Sequence, residues 1–282
     1  MSRTTVTPIH ITDPADPRLD DIRDLNHSDR RPDLPGGKGL VISEGLLVTP
    51  RLIESRFPVG TVVGFPDKVK ALLDDERVSE LLAADDAAIY TVDRDTLKEV
   101  AGFDMHRGLV ACAARAPELP VADIIAQSRT LMVLEGVGDH ENIGAIFRNA
   151  AGMHVDGVLF GAACADPLFR RSVRVSMGQV LRLPFATLPG TTTTWQRSFD
   201  MLHDAGFHTV AMTPADDASE LWEAMDHDKV AIVVGAEGPG LTRHAMRACS
   251  QRAKIPMAPG TDSLNVATAA AIACYERLRF CS

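Results

Sequence analysis

The sequence predicts an α/β protein. A C-terminal domain is built on a mostly parallel sheet with helices on both faces, and a smaller α/β domain precedes it. Three observations carry this. Strand-length apolar runs alternate with helical stripes from residue 39 onward, the pattern of a parallel sheet covered on both sides. The stretch 114–121, A-R-A-P-E-L-P-V, breaks the alternation with two prolines and no period of either kind, and is the best domain boundary in the chain. Small and polar residues collect where strands end and helices begin, at the edge where such sheets take ligands.

Taken in order, residues 1–35 are rich in Asp, Arg and Pro and read as an extended leader with one short helix near 20–26. The smaller domain, 36–116, carries expected strands at 39–42, 61–64, 88–91 and 109–113 and helices at 49–55, 66–73, 78–84 and 94–100. A linker at 117–124 leads to the second domain, 125–282. Its expected strands are 131–134, 157–160, 180–184, 209–212, 230–234 and 254–257. Its helices include 142–153, with Ile143, Ile146, Phe147 and Ala150 on one stripe, 194–205 with Gly206 placed as the residue after the C-cap, and 264–280.

Composition narrows the function. Apolar residues make up 45% of the 282, enough for a real core, and no uninterrupted apolar run is long enough to span a bilayer. The polar, acidic N-terminus lacks a signal-peptide pattern, so cytoplasm is the expected compartment. The five cysteines are scattered with no C-x-x-C pair, and the nine histidines form no ligand spacing; no disulfide framework and no metal site are expected. A net charge of −9 argues against a nonspecific nucleic-acid binder, yet leaves room for a local patch of arginines.

Four segments place chemistry at strand ends. V-G-D-H-E-N-I-G-A-I-F-R-N-A, 137–150, opens a helix that Asp139 or Asn142 can cap, and sets Gly144 and Arg148 one turn apart, a bare backbone beside a cation that suits a phosphate. By itself it reads first as a capped amphipathic helix with an ordinary surface arginine. A-I-V-V-G-A-E-G-P-G-L, 231–241, runs a buried strand into three glycines around Glu237; it is neither a dinucleotide fingerprint nor a P-loop, and a binding loop is at least as good a reading as a plain turn. In 254–273 a strand meets I-P-M, a turn, and then Ser263, Leu264 and Asn265 at the start of a helix of small residues. The plain reading of Ser263 is the helix N-cap, and the small face of Ala267, Ala270, Ala271 and Cys274 suits close packing or a dimer contact. Segment 170–184 gathers Arg170, Arg171, Arg174 and Arg182, the most basic stretch of this domain; alone, it reads as a solvated helix face.

Together and in this order these segments resemble the SpoU (TrmH-like) family of RNA ribose methyltransferases, within the SPOUT class. The family's N-x-G-x-x-x-R matches Asn142, Gly144 and Arg148. Its G-x-E-G-x-G matches Gly235, Glu237, Gly238 and Gly240. I-P-M followed by S-L-N-V matches Ile255, Pro256, Met257, Ser263, Leu264, Asn265 and Val266, and R-x-S-x-G fits Arg174, Ser176 and Gly178. Each motif alone is weak; the ordered set is specific and covers 125–282. More loosely, V-I-S-E-G-L-L-V at 41–48 and R-G-L-V-A-C at 107–112 resemble the L30e-like substrate-binding domain found ahead of this catalytic domain.

The resemblance implies a C-terminal α/β trefoil knot, a homodimer through the knot domain with active sites at the subunit interface, and transfer of a methyl group from S-adenosyl-L-methionine to a ribose 2′-hydroxyl of structured RNA, rRNA ahead of tRNA. It implies cofactor contacts at Thr213, Gly235, Ala236, Gly238, Ile255, Met257 and Leu264. Asn142, Ser263 and Asn265 would position the reacting ribose. Glu237 would orient Arg148 or bind a polar group of either ligand. Arg148, Arg170, Arg171 and Arg174 would hold RNA, and Arg148 would act at the reaction centre by gripping the neighbouring phosphate and stabilising oxyanion charge, since a guanidinium seldom releases a proton. Two other classes were weighed: a noncatalytic RNA-binding protein with an α/β-knot domain, which the Asn142, Arg148, Glu237 and Asn265 set opposes, and a nucleotide-dependent enzyme of Rossmann type, which the missing glycine fingerprint opposes.

Overall fold

Asp and Pro at 13–17 start a turn near the N-terminal end of the described residues: Asp16 accepts from the Arg18 amide at 2.9 Å and caps a 3₁₀ turn at Pro17–Ile22. The structure is a computed structural model that describes residues 7–26 and 39–281. The chain divides into two units. One comprises residues up to Pro117 together with Leu168–Arg182, the other Glu118–Pro167 and everything from Leu183.

In the first unit, β1 (Ile9–His10), β2 (Val41–Glu44), α1 (Thr49–Ile53), β3 (Val59–Gly64), α2 (Pro66–Leu73), α3 (Glu76–Ala84), β4 (Ala88–Thr91), α4 (Arg94–Ala101) and β5 (Leu109–Ala113) follow in order. Five strands form one mixed sheet, β1-β4-β3-β5-β2, in which β5 runs against both its neighbours. The stretch expected as an extended leader does more. Its strand β1 pairs with β4, and Ile11, Leu19, Ile22 and Leu25, each 2% exposed or less, join Ile42, Val63, Leu97 and Val110 in one core. These apolar positions sit among charged neighbours at no clean period, so the sequence pattern hid them. The rest of the expected leader, 1–6 and 27–35, lies outside the described residues.

The second unit opens with α5 (Val121–Gln127), inside the stretch expected as a linker, then β6 (Thr130–Leu134), α6 (His140–Gly152) and β7 (Gly157–Phe160). Segment Leu168–Arg182, expected within the C-terminal domain, belongs to the first unit. It holds α7 (Arg170–Val175) and a 3₁₀ turn at Gln179–Leu181. The strand expected at 180–184 therefore starts later, as β8 (Phe185–Thr187): Pro184 has no N–H for a ladder, and Val180 and Leu181 are buried without being strand. There follow α8 (Phe199–Asp204), β9 (Phe207–Met212), β10 (Ser219–Glu220), β11 (Lys229–Val234), α9 (Arg243–Ala248), β12 (Gln251–Lys254) and α10 (Val266–Cys281). Gly206, the residue after the C-cap of α8, has φ +84°, as its placement predicts.

Seven strands make an all-parallel sheet in the order β10-β12-β9-β11-β6-β7-β8. After Thr130 and Lys229 the central strands β6 and β11 are wholly apolar, and they are buried on both faces as parallel sheets require. Phe147 of α6 packs with Phe160 and Phe185, their ring centroids 5.8–6.1 Å apart. Asn149 of α6 donates to the Ala267 carbonyl of α10 at 3.4 Å, and the small residues Ala267, Ala270 and Cys274 are buried, which favours the close-packing reading of that face. At the far end of α10, buried Arg277 donates to the carbonyls of Met225, His227 and Asp228 at 2.6–2.9 Å, pinning the helix to the turn before β11. Among the described residues no helix is long and apolar enough to cross a membrane.

Candidate active site

Parallel strands release all their following loops at one edge. At the carboxyl ends of β9, β11 and β12, three neighbours in the sheet, the loops converge on a cleft that is open to solvent. Met212, Thr213 and Pro214 come from the end of β9, Val234 through Gly238 and Gly240 from the end of β11, and Ile255, Met257, Ser263 and Leu264 from the long loop between β12 and α10. Every residue expected to contact a cofactor is there: Thr213, Gly235, Ala236, Gly238, Ile255, Met257 and Leu264.

Two local rules shape the walls. The strand expected at 254–257 stops at Lys254 because Pro256 cannot donate to a ladder, and Ile255 and Met257 become cleft lining with unpaired backbone. The 235–241 loop doubles back so tightly that a Cβ on Gly235 would lie 2.3 Å from the Gly240 carbonyl carbon and the Leu241 nitrogen, and the Gly240 N–H donates to the Ala236 carbonyl at 3.0 Å. Only glycine fits there, and main-chain groups are what the loop shows a ligand.

At the rim the motif residues tie together. Asn265, not Ser263, caps α10: its Oδ1 accepts from the Ala267 and Thr268 amides at 3.0 and 3.1 Å. Those two donors fix the amide's orientation, so Nδ2 must point the other way. It donates to Asn142 Oδ1 at 2.9 Å and to Glu237 Oε1 at 2.5 Å. One side chain thereby joins α10, α6 and the glycine loop. The N-cap of α6 is Asp139, whose carboxylate accepts from Glu141 N at 2.5 Å, which leaves Asn142 for this contact.

The arginines fall elsewhere. Arg148 is exposed on α6, six residues beyond Asn142 and about 120° round the helix from it, and does not line the cleft. The expectation that Glu237 orients Arg148 is corrected: Glu237 bonds Asn265, and the Arg148 guanidinium makes no hydrogen bond or ion pair among the described residues. Arg170, Arg171 and Arg174 belong to the first unit. Arg170, expected to hold RNA, instead turns inward to Glu44 at 2.7 Å, with side-chain exposures of 15% and 7%, and stacks 5.0 Å from the Phe103 ring centre. Arg171 is exposed and Arg174 half-buried.

No thiol near the sheet is poised as a nucleophile. Burial pushes Cys164 up to about 11 and Cys249 and Cys274 to about 12, so each stays protonated at neutral pH. Among the described residues no group of three or more His, Cys, Asp or Glu is arranged to hold a metal ion. Sequence reading missed Met212, Pro214, Val234 and Gly240 as lining, and missed buried Glu135 just after β6; the signal for the last was a lone carboxylate at the end of a wholly apolar strand.

An all-parallel sheet with glycine-rich loops cupping a cleft at three adjacent strand ends, and an Asn–Asn–Glu cluster on its rim, defines an α/β enzyme whose loops carry its chemistry. The model of the SpoU rRNA methylase family matches residues 129–275, just over half of the chain. The chain belongs to the SpoU rRNA methylase family, a family of RNA methyltransferases. It is 52% identical over 272 residues to an uncharacterized tRNA/rRNA methyltransferase of Mycobacterium tuberculosis, covering 95% of this chain and 91% of the relative. It is 30% identical to the 23S rRNA (guanosine-2′-O-)-methyltransferase RlmB of Vibrio parahaemolyticus, covering 76% and 84%. The crystal structure of an AdoMet-bound rRNA methyltransferase from Sinorhizobium meliloti superposes with a TM-score of 0.79 at 25% identity, over 96% of this chain and 97% of the other.

Proposed function

We propose that this chain transfers a methyl group from S-adenosylmethionine to a ribose 2′-hydroxyl of structured RNA, ribosomal RNA first and transfer RNA second. The observation that carries the reading is the cleft: all seven expected cofactor residues line it, and Asn142, Glu237 and Asn265 are joined at its rim. The RlmB name supports the ribose and rRNA parts, and the AdoMet-bound relative supports the cofactor.

The residues present suit the cofactor. Main-chain groups at 235–238 and around Ile255, Met257 and Leu264 match the edge of an adenine, the aliphatic side chains its faces, and the Glu237 carboxylate the cationic part. When bound, S-adenosylmethionine supplies an electrophilic methyl group on a sulfonium. The chain's own work is positioning. Among the described residues Asn142 retains an unbonded NH₂ and Ser263 an unbonded hydroxyl, both suited to the reacting ribose, and Asn265 holds Asn142 and Glu237 in place. Arg148 grips the adjoining phosphate and stabilises charge as the 2′-oxygen loses its proton.

A homodimer with active sites at its interface accords with two features. Arg148 is exposed and outside the cleft of its own chain, and α10 carries Thr268, Ile272, Tyr275 and Arg279 on one exposed stripe, with Ile272 36% and Tyr275 56% exposed. In the first unit we propose Arg171 and Arg174 as RNA contacts. Arg51 adds to them, its guanidinium resting on the Met177 carbonyl and forming no ion pair among the described residues. A local cationic patch of this kind reconciles an RNA substrate with an acidic chain, and the proposed substrate sets the compartment as cytoplasm.

The test is transfer of labelled methyl groups to purified rRNA and tRNA, followed by alkaline digestion. The reading predicts label in an alkali-resistant dinucleotide, because methylation of the 2′-oxygen blocks cleavage there. Label on a base overturns the ribose assignment. The absence of any transfer together with S-adenosylmethionine failing to bind returns the chain to a noncatalytic RNA binder.

A further inference from the structure

We infer that Glu135 is a positioning residue that clamps both ends of the 235–241 loop and thereby sets the affinity of the cleft; this rests on the reading that the cleft takes S-adenosylmethionine. Glu135 stands just past β6 and is 5% exposed. Its own N–H donates to the Val234 carbonyl at 2.9 Å, where the loop begins. Its carboxylate closes on the loop's other end: Oε2 accepts from the Thr242 amide at 2.8 Å and Oε1 from the Thr242 hydroxyl at 2.9 Å. Oε1 also accepts from Trp195 Nε1 at 2.9 Å. Thr242 in turn caps α9 through Ala245 N at 3.2 Å, so the loop's exit is tied to the start of a helix. The next residue, Gly136, leaves so little room that a Cβ there would stand 3.1 Å from the Cβ of Ala236.

The chemistry of the clamp points to geometry rather than charge pairing. A buried carboxylate is costly unless its lone pairs are met. Here three neutral donors meet them, and among the described residues no Lys, Arg or His forms an ion pair with Glu135. Donors from two different elements are thereby held at fixed angles beneath the residues that line the cleft. Glutamine in its place would turn an NH₂ toward at least one donor, and aspartate would be one methylene short.

The test uses the full chain with Glu135→Gln, Thr242→Val, the double variant, and Val158→Ala as a core truncation in β7, outside the cluster that holds Trp195 and Leu241, that lowers thermal stability away from the loop. Calorimetric titration is run with S-adenosylmethionine and with S-adenosylhomocysteine, and amide hydrogen exchange is followed at Ala236 and Gly240 without ligand. For Glu135→Gln we expect roughly tenfold weaker binding of both ligands, with kcat at saturating cofactor within about threefold of wild type and faster exchange at both amides. Thr242→Val moves the same readouts less, and adds little in the double variant because the two groups share one contact. Val158→Ala leaves affinity and loop exchange unchanged. Unchanged loop exchange in Glu135→Gln overturns the clamp whatever the cleft binds. Weakening confined to the cationic ligand overturns it in favour of a purely electrostatic role. Failure of the wild-type protein to bind either ligand, with exchange altered as expected, leaves the clamp standing and removes the cofactor reading instead.

Discussion

The seven-stranded sheet of the second unit and the five-stranded sheet of the first obey different rules, and the difference decides where each puts its chemistry. Every strand of the larger sheet runs parallel, so β9, β11 and β12 deliver their loops to the same edge and build a cleft out of backbone. In the smaller sheet β5 runs against β2 and β3, and the loops after these neighbouring strands leave at opposite edges. What the first unit offers is side-chain charge: Arg170 spent inward on Glu44, Arg171 exposed and Arg174 half-buried. A parallel sheet converts strand order into a main-chain binding site; a mixed sheet of this size leaves recognition to side chains.

This contrast can be broken at several points. The largest effect is expected at Arg148: Arg148→Ala should lower methyl transfer by roughly a hundred- to a thousandfold while S-adenosylmethionine binds as in wild type, measured by single-turnover transfer beside calorimetry. Near-normal transfer would remove Arg148 from the mechanism. Next comes Gly235→Ala, whose added Cβ meets backbone at 2.3 Å. Overpacking of that kind costs about 1–3 kcal/mol, so cofactor affinity should fall roughly ten- to a hundredfold. Wild-type affinity would mean that the loop yields and does not define the site.

Within the first unit, two arginines four residues apart should behave in opposite ways. Arg170→Ala leaves Glu44 buried without its partner and should cost roughly 3–5 kcal/mol of stability in denaturant unfolding, with RNA affinity of the surviving fold unchanged. Arg174→Ala should leave stability alone, weaken RNA binding several-fold, and reduce the slope of log affinity against log salt by about one. A swap of these two phenotypes would reverse the assignment of inward and outward arginines.

The smallest expected effect is with pH. His227 stacks on His208 with ring centroids 3.7 Å apart, and burial, then the neighbouring His208, hold its pKa below the ordinary 6.5; Arg277 acts in the same direction. The folded state thus favours the neutral ring. Stability is full above about pH 6.5 and is lost as pH falls through that value toward the folded-state pKa, because the unfolded chain takes up the proton more readily. His208→Gln should flatten this part of the stability profile; an unchanged slope would place its origin elsewhere.

Much of this was legible in the sequence, for identifiable reasons. Apolar runs such as 131–134 and 230–234 are strands because nothing else so short and so apolar sits between helical stripes, and the motif glycines and asparagines mark their ends. The cleft residues followed from the same marks. The parts that escaped are decided by tertiary contact. Val180 and Leu181 are apolar whether strand or 3₁₀ turn, and only the pairing of Phe185 with Val158 tells which. Ile11, Leu19 and Ile22 become core only because β1 adds to β4. Arg170 and Arg174 look alike in sequence, and what separates them is Glu44, distant in the chain. The partner of Glu237 was misjudged because charge suggested Arg148, whereas the geometry of the α10 cap aims the Asn265 amide at it.

The account stands on the claim that one set of strand-end loops, in one unit, takes the cofactor. Titrating isotopically labelled protein with S-adenosylmethionine and following backbone amide resonances tests this directly. Saturable shifts concentrated at Gly235, Ala236, Gly238, Ile255, Met257 and Leu264, with the amides of β1 through β5 unmoved, are the predicted result. Saturable shifts centred in the first unit, or none at the 235–240 loop at concentrations that saturate binding, would contradict it.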